Sequence, residues 1–81
     1  MSVRVLFFAS LADVTGIREA ELPAGEFTTV EAILAHYSRR FPSLEAGRSS
    51  VLCAVNSTYA KPETPVRDSD EVAFFPPVSG G

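Results

Sequence analysis

Residues 3–8 are apolar throughout except Arg4, and a run this short predicts a β-strand. Side chains alternate along a strand, so Val3, Val5 and Phe7 share one face while Arg4, Leu6 and Phe8 share the other. Residues 9–14 can make one or two helical turns, stopped at Thr15-Gly16. A loosely alternating second strand runs over 18–22 and is broken by Pro23-Ala24-Gly25. The best helix signal spans 30–40, where Val30, Ile33, Leu34 and Tyr37 fall at i, i+3, i+4 and i+7. Thr28, three residues before Glu31, has the spacing of a capping box, and Pro42 forbids extension of the helix. Residues 43–50 read as a polar loop, 51–55 as a central strand apolar on both faces, and Asn56-Ser57 as a turn. Thr58-Tyr59-Ala60 is a short edge strand, closed by Pro62. A turn at 67–70 leads into the last strand, 71–75, which Pro76-Pro77 terminates.

Strand, strand, helix, strand, short strand, strand is an α+β order. One helix and one sheet each have an apolar face to bury, so the helix stripe packs on one face of a mixed sheet of about five strands. That architecture is a β-grasp, the ubiquitin-like fold, over residues 1–75, with 76–81 as an extended diglycine tail. In the last strand Glu71, Ala73 and Phe75 oppose Val72 and Phe74. Arg4 and Glu71 mark the solvent side, so Phe8 and Phe75 point away from the helix. With Tyr59 they predict an exposed apolar patch beside the tail, and such patches mark partner surfaces.

Composition narrows the function classes. The chain has 81 residues, a net charge of −3 and a single cysteine, Cys53. One cysteine allows no internal disulfide, and together with the missing basic-then-apolar leader it sets the expectation of a cytoplasmic protein. No apolar run approaches the ~20 residues of a membrane span. The seven basic residues are scattered apart from Arg39-Arg40, which excludes a nucleic-acid footprint. Mild acidity steers the molecule toward a basic partner surface.

Catalytic constellations are missing. His36 is the only histidine and reads as a surface residue on the flank of the helix stripe, and Cys53 reads as an inert buried thiol. No cysteine pair, histidine pair or acid cluster has metal-ligand spacing, and Gly16, Gly25 and Gly47 stand too far apart for a phosphate-cradling loop. Any chemistry therefore falls to the terminal Gly80-Gly81. Two residues without Cβ atoms let a terminal carboxylate thread a narrow channel, such as one leading to a nucleotide α-phosphate in a second protein.

The segment Val5-Leu6-Phe7-Phe8-Ala9, the run Ala54-Val55-Asn56 and above all Asp70 to Gly81, which includes Phe-Phe-Pro-Pro-Val-Ser-Gly-Gly, resemble the small, sulfur-carrier subunits of molybdopterin synthase. The resemblance implies that Gly81, with Gly80 before it, carries the chemistry. A partner adenylyltransferase related to ubiquitin activators uses ATP to form an acyl-adenylate there, and a sulfurtransferase converts it to a thiocarboxylate. The sulfur is then donated to cyclic pyranopterin monophosphate, in a large synthase subunit, to build the molybdopterin dithiolene. The resemblance also implies a heterotetramer of two large and two small subunits and no stably bound cofactor. It places Phe8, Tyr59 and Phe75 on the shared docking surface, with Pro76, Pro77, Val78 and Ser79 lining the way into both active sites. Alternatives are a sulfur carrier for thiazole, cysteine or tRNA thiolation, a lysine-conjugated modifier, and a ubiquitin-like binding module with an inert tail.

Overall fold

The computed structural model describes residues 1–77; the tail residues Val78, Ser79, Gly80 and Gly81 lie outside the described residues. Five strands and three short-to-medium helices occur in the order β1 (Ser2–Phe7), α1 (Ser10–Thr15), β2 (Glu19–Pro23), α2 (Val30–Arg40), α3 (Pro42–Ala46), β3 (Leu52–Val55), β4 (Thr58–Ala60), β5 (Glu71–Phe75), with a 3-10 turn at Arg48–Ser50. The sheet order is β2-β1-β5-β3-β4. β1 and β5 run parallel at its centre, and the other pairings are antiparallel. This is the β-grasp expected from the pattern.

The parallel register sets Arg4 opposite Glu71, Val5 opposite Val72 and Phe7 opposite Phe74. Val3, Val5, Phe7, Val72 and Phe74 therefore face α2 and are buried with Val30, Ile33, Leu34 and Tyr37. Phe7 anchors the layer, meeting Tyr37 edge-on at 5.1 Å and stacking on Phe74 at 5.7 Å.

Three local readings change. The N-cap of α2 is Thr29, not Thr28: the Thr29 Oγ1 accepts from the Ala32 N–H at 3.1 Å. The free amides of Val30 and Glu31 donate instead to Thr64 and Pro62 carbonyls at 3.1 and 2.8 Å, so the 61–66 loop completes the cap. Residues 43–50 are not a loop. Pro42 at the first helical position starts α3 as well as ending α2, because its fixed φ suits a helix start, and α3 buries Leu44. The middle strand is β5 rather than β3. β3 is apolar on both faces because its Leu52 and Ala54 continue the face that no helix covers, where they pair with Phe75 and Ala73.

Candidate functional site

The open face of the sheet splits into two halves. Arg4, Glu19, Glu21 and Glu71 hold one end, with Arg4 Nε 3.2 Å from Glu19 and Arg4 Nη1 3.6 Å from Glu71. The other end is apolar: Leu6, Phe8, Ala73, Phe75, Leu52, Ala54 and Tyr59 share the face by register. Phe8 is 48% exposed and Tyr59 74% exposed, whereas Phe75 is half-buried. The rings of Tyr59 and Phe75 lie 5.8 Å apart, which brings the edge strand β4 into the patch. So two of the sequence-derived trio, Tyr59 and Phe75, converge on the side away from α2, while Phe8 lies exposed just past the end of β1. Leu52 and Ala54 were the contributors missed, since the strand's parity cannot be fixed until its partner is known.

The patch sits where the chain leaves the sheet. β1 and β5 are parallel, so Phe8 and the exit at Pro76 lie at the same end. The Phe8 N–H donates to the Phe74 carbonyl at 3.0 Å, which holds the two strand ends together. Pro76 is half-buried and Pro77 exposed. The candidate residues Val78, Ser79, Gly80 and Gly81 lie beyond the described segment.

A polar clasp fixes the turns behind β5. Asn56 Nδ2 donates to Asp70 Oδ1 at 2.9 Å, the Glu71 N–H donates to Asn56 Oδ1 at 3.0 Å, and the Arg67 N–H donates to Asp70 Oδ2 at 2.8 Å. The Arg67 N–H, then the Asn56 amide, hold the Asp70 carboxyl below the usual aspartate range. Asn56 and Ser57 both have positive φ, 51° and 71°, as a tight β3–β4 hairpin requires. The clasp thus ties the Tyr59 hairpin to the start of the strand that carries Phe75.

Nucleophilic chemistry finds no support among the described residues. Cys53 is buried, its thiol is pushed up by desolvation, and it donates to the Ala60 carbonyl at 3.1 Å. His36 is half-buried, with ring centroids 5.0 Å from Phe27 and 4.9 Å from Tyr37, so it packs rather than projecting as a free surface group. No group of three metal-ligating side chains occurs among the described residues, and none of the described helices is long and apolar enough to cross a membrane. What the face offers is an apolar patch beside a chain exit.

Comparison with known proteins agrees with this geometry. The model of the ThiS family matches residues 5–81. The molybdopterin synthase sulfur carrier subunit of Escherichia coli K12 is 42% identical over 83 aligned positions, covering 98% of this chain and 99% of the relative. The small archaeal modifier protein 1 of Methanosarcina acetivorans superposes with a TM-score of 0.82 at 26% identity, covering 99% of this chain and 96% of that one. A chain from the complex of subunits 1 and 2 of the molybdopterin-converting factor of Helicobacter pylori shares the fold, with a TM-score of 0.68 at 23% identity and full coverage of both chains. The chain belongs to the ThiS family.

Proposed function

We propose that this member of the ThiS family is the sulfur carrier subunit of a molybdopterin synthase. The full-length match to the Escherichia coli carrier subunit supports the reading most strongly. The apolar patch of Phe8, Tyr59 and Phe75, beside the exit of β5, supplies the physical counterpart. A carrier needs no catalytic groups of its own. It needs a surface that a partner recognises and a chain end that reaches the partner's active site.

In this reading the Gly81 carboxylate attacks the α-phosphate of ATP on a partner adenylyltransferase, releasing pyrophosphate. A carboxylate is a poor electrophile, and the acyl-adenylate corrects this because AMP leaves readily. The terminal sulfur of a sulfurtransferase persulfide displaces AMP to give an acyl disulfide. A second thiol cleaves its S–S bond, releasing the Gly81 thiocarboxylate and leaving a disulfide on the sulfurtransferase side. The large synthase subunit then receives the tail, and the thiocarboxylate sulfur attacks cyclic pyranopterin monophosphate. The carrier returns as a plain carboxylate, so it is a co-substrate as much as a subunit. Gly80 and Gly81 present no Cβ to the channel walls.

Deleting Gly81, or adding one residue after it, is expected to abolish synthase turnover in a reconstituted system while the melting temperature stays at the wild-type value. Full activity in the Gly81 deletion would overturn the mechanism.

A further inference from the structure

Phe8 has no aromatic neighbour among the described residues, unlike Tyr59 and Phe75. Its position is set by backbone instead. The Phe8 carbonyl accepts from the Leu11 N–H at 3.1 Å, closing a four-residue turn, and the Ala9 carbonyl accepts from the Ala12 N–H at 3.0 Å. Between them Ala9 has φ 52° and ψ −131°. That is the second position of a type II′ turn, which glycine occupies at least cost because an L side chain is strained there. The chain nevertheless carries a methyl at this position, and residue 9 is exposed. An exposed methyl does little to offset the strain within the folded chain itself.

The same turn walls a groove of about 530 Å³ on the α1 side of Phe8. Leu6, Phe8, Ala9 and Ala12 supply apolar lining, and Asp13, Arg18 and Glu19 the charged part. The groove is continuous with the docking patch through Leu6 and Phe8. Arg4 already engages Glu19 at 3.2 Å, while Asp13 has no ion-pair partner among the described residues. The charged lining of the groove itself is therefore Asp13 and Glu19 against Arg18.

We infer that this groove is the second half of the docking surface and receives an arginine or lysine side chain from the large synthase subunit. The aliphatic stem lies along Phe8, Ala9 and Ala12, and the cationic head reaches Asp13. Long basic side chains are built for such a site, apolar along the stem and charged at the tip, and an aromatic face adds attraction for the cation. The Ala9 methyl, strained in the free chain, becomes a contact in the complex. The inference rests on the docking reading above, and its test separates the two.

Dissociation constants for the purified large subunit of the same organism, measured calorimetrically at two salt concentrations, decide the matter, with melting temperatures taken in parallel. Asp13→Lys is expected to weaken binding at least tenfold, and Asp13→Asn severalfold with a shallower salt dependence than wild type. Ala9→Gly is expected to raise the melting temperature and yet weaken binding severalfold, an opposition that a purely structural role for residue 9 does not produce. Wild-type affinity in Ala9→Gly and both Asp13 variants, with loss in Phe8→Ala, would overturn the groove while leaving the patch intact. Wild-type affinity in Phe8→Ala as well would overturn the docking reading and the groove with it.

Discussion

Truncating Phe75 to alanine is expected to weaken partner binding strongly at moderate cost in stability, whereas truncating its neighbour Phe74 should cost more stability and leave the docking face in place. The two side chains lie on opposite faces of β5. Phe74 is 0% exposed, stacked on Phe7 at 5.7 Å and enclosed by the α2 layer. A buried phenylalanine cut to alanine costs about 3–5 kcal/mol through lost burial and the cavity left behind. A domain of 81 residues has roughly 4–12 kcal/mol of stability in all, so Phe74→Ala removes a large share of it. Phe75 is half-buried, opposite Leu52 on β3 and with the Tyr59 ring 5.8 Å away. The aromatic pair contributes about 0.5–1.5 kcal/mol beyond area burial, and the covered part of the ring adds about 1–2 kcal/mol, so Phe75→Ala should cost about 2–3 kcal/mol, less than Phe74→Ala. For a domain of this size each kcal/mol lowers the melting temperature by about 4–8 °C. Urea denaturation of both variants gives the stability arm, and calorimetric titration with the large subunit gives the binding arm. Phe75→Ala should bind at least about thirtyfold more weakly than wild type, because aromatic anchors at an interface centre cost about 2 kcal/mol or more when truncated. Equal destabilisation by the two substitutions, or unchanged affinity in Phe75→Ala, would refute the assignment of faces on which the docking surface rests.

Two further outcomes follow from the clasp behind β5. Asp70 titrates below the usual aspartate range, chiefly through the Arg67 N–H and then through Asn56, so its contribution is fully present above the ordinary value of ~3.9 and is lost as pH falls through the lowered folded-state pKa. Asp70→Asn should therefore be less stable than wild type at pH 7, with the gap narrowing in acid; a gap that widens on acidification in urea titrations would contradict this. Ser57, at φ 71°, is strained by about 1–2 kcal/mol where glycine would not be, which exceeds the entropy cost of glycine, about 0.4–1 kcal/mol, so Ser57→Gly should stabilise modestly, read as a higher urea midpoint at unchanged slope.

Much of the fold was legible because burial here follows simple periods. The α2 stripe at Val30, Ile33, Leu34 and Tyr37 has the helical period, and its bounds at 30 and 40 match the observed helix. The two-residue period of β1 and β5 separated Phe7 from Phe8 and Phe74 from Phe75: Phe7 and Phe74 are buried and Phe8 exposed as expected, whereas Phe75 is half-buried because Tyr59 packs beside it. Features that depend on long-range partners were not legible. Thr28 and Thr29 are both capping residues by type, and the choice is made where Thr29 pairs with Pro65 and Val66 N–H reaches the Thr28 carbonyl. α3 was hidden because only Leu44 in Pro42–Ala46 is buried, leaving no periodic signal. Strand order escaped for a related reason: an apolar strand is consistent with any interior position when one sheet face is itself an apolar interface. The strained turn at Ala9 carries no sequence mark, since glycine would have been its usual sign.

The central claim is that Gly81 carries sulfur, and it is tested most directly by the intact mass of the chain. The protein is weighed before and after incubation with ATP, the adenylyltransferase and a sulfur source. The account requires a gain equal to the exchange of one oxygen for one sulfur, localised to Gly81 by fragmentation and absent without ATP. An unchanged mass with enzymes shown to be active on another carrier would contradict it.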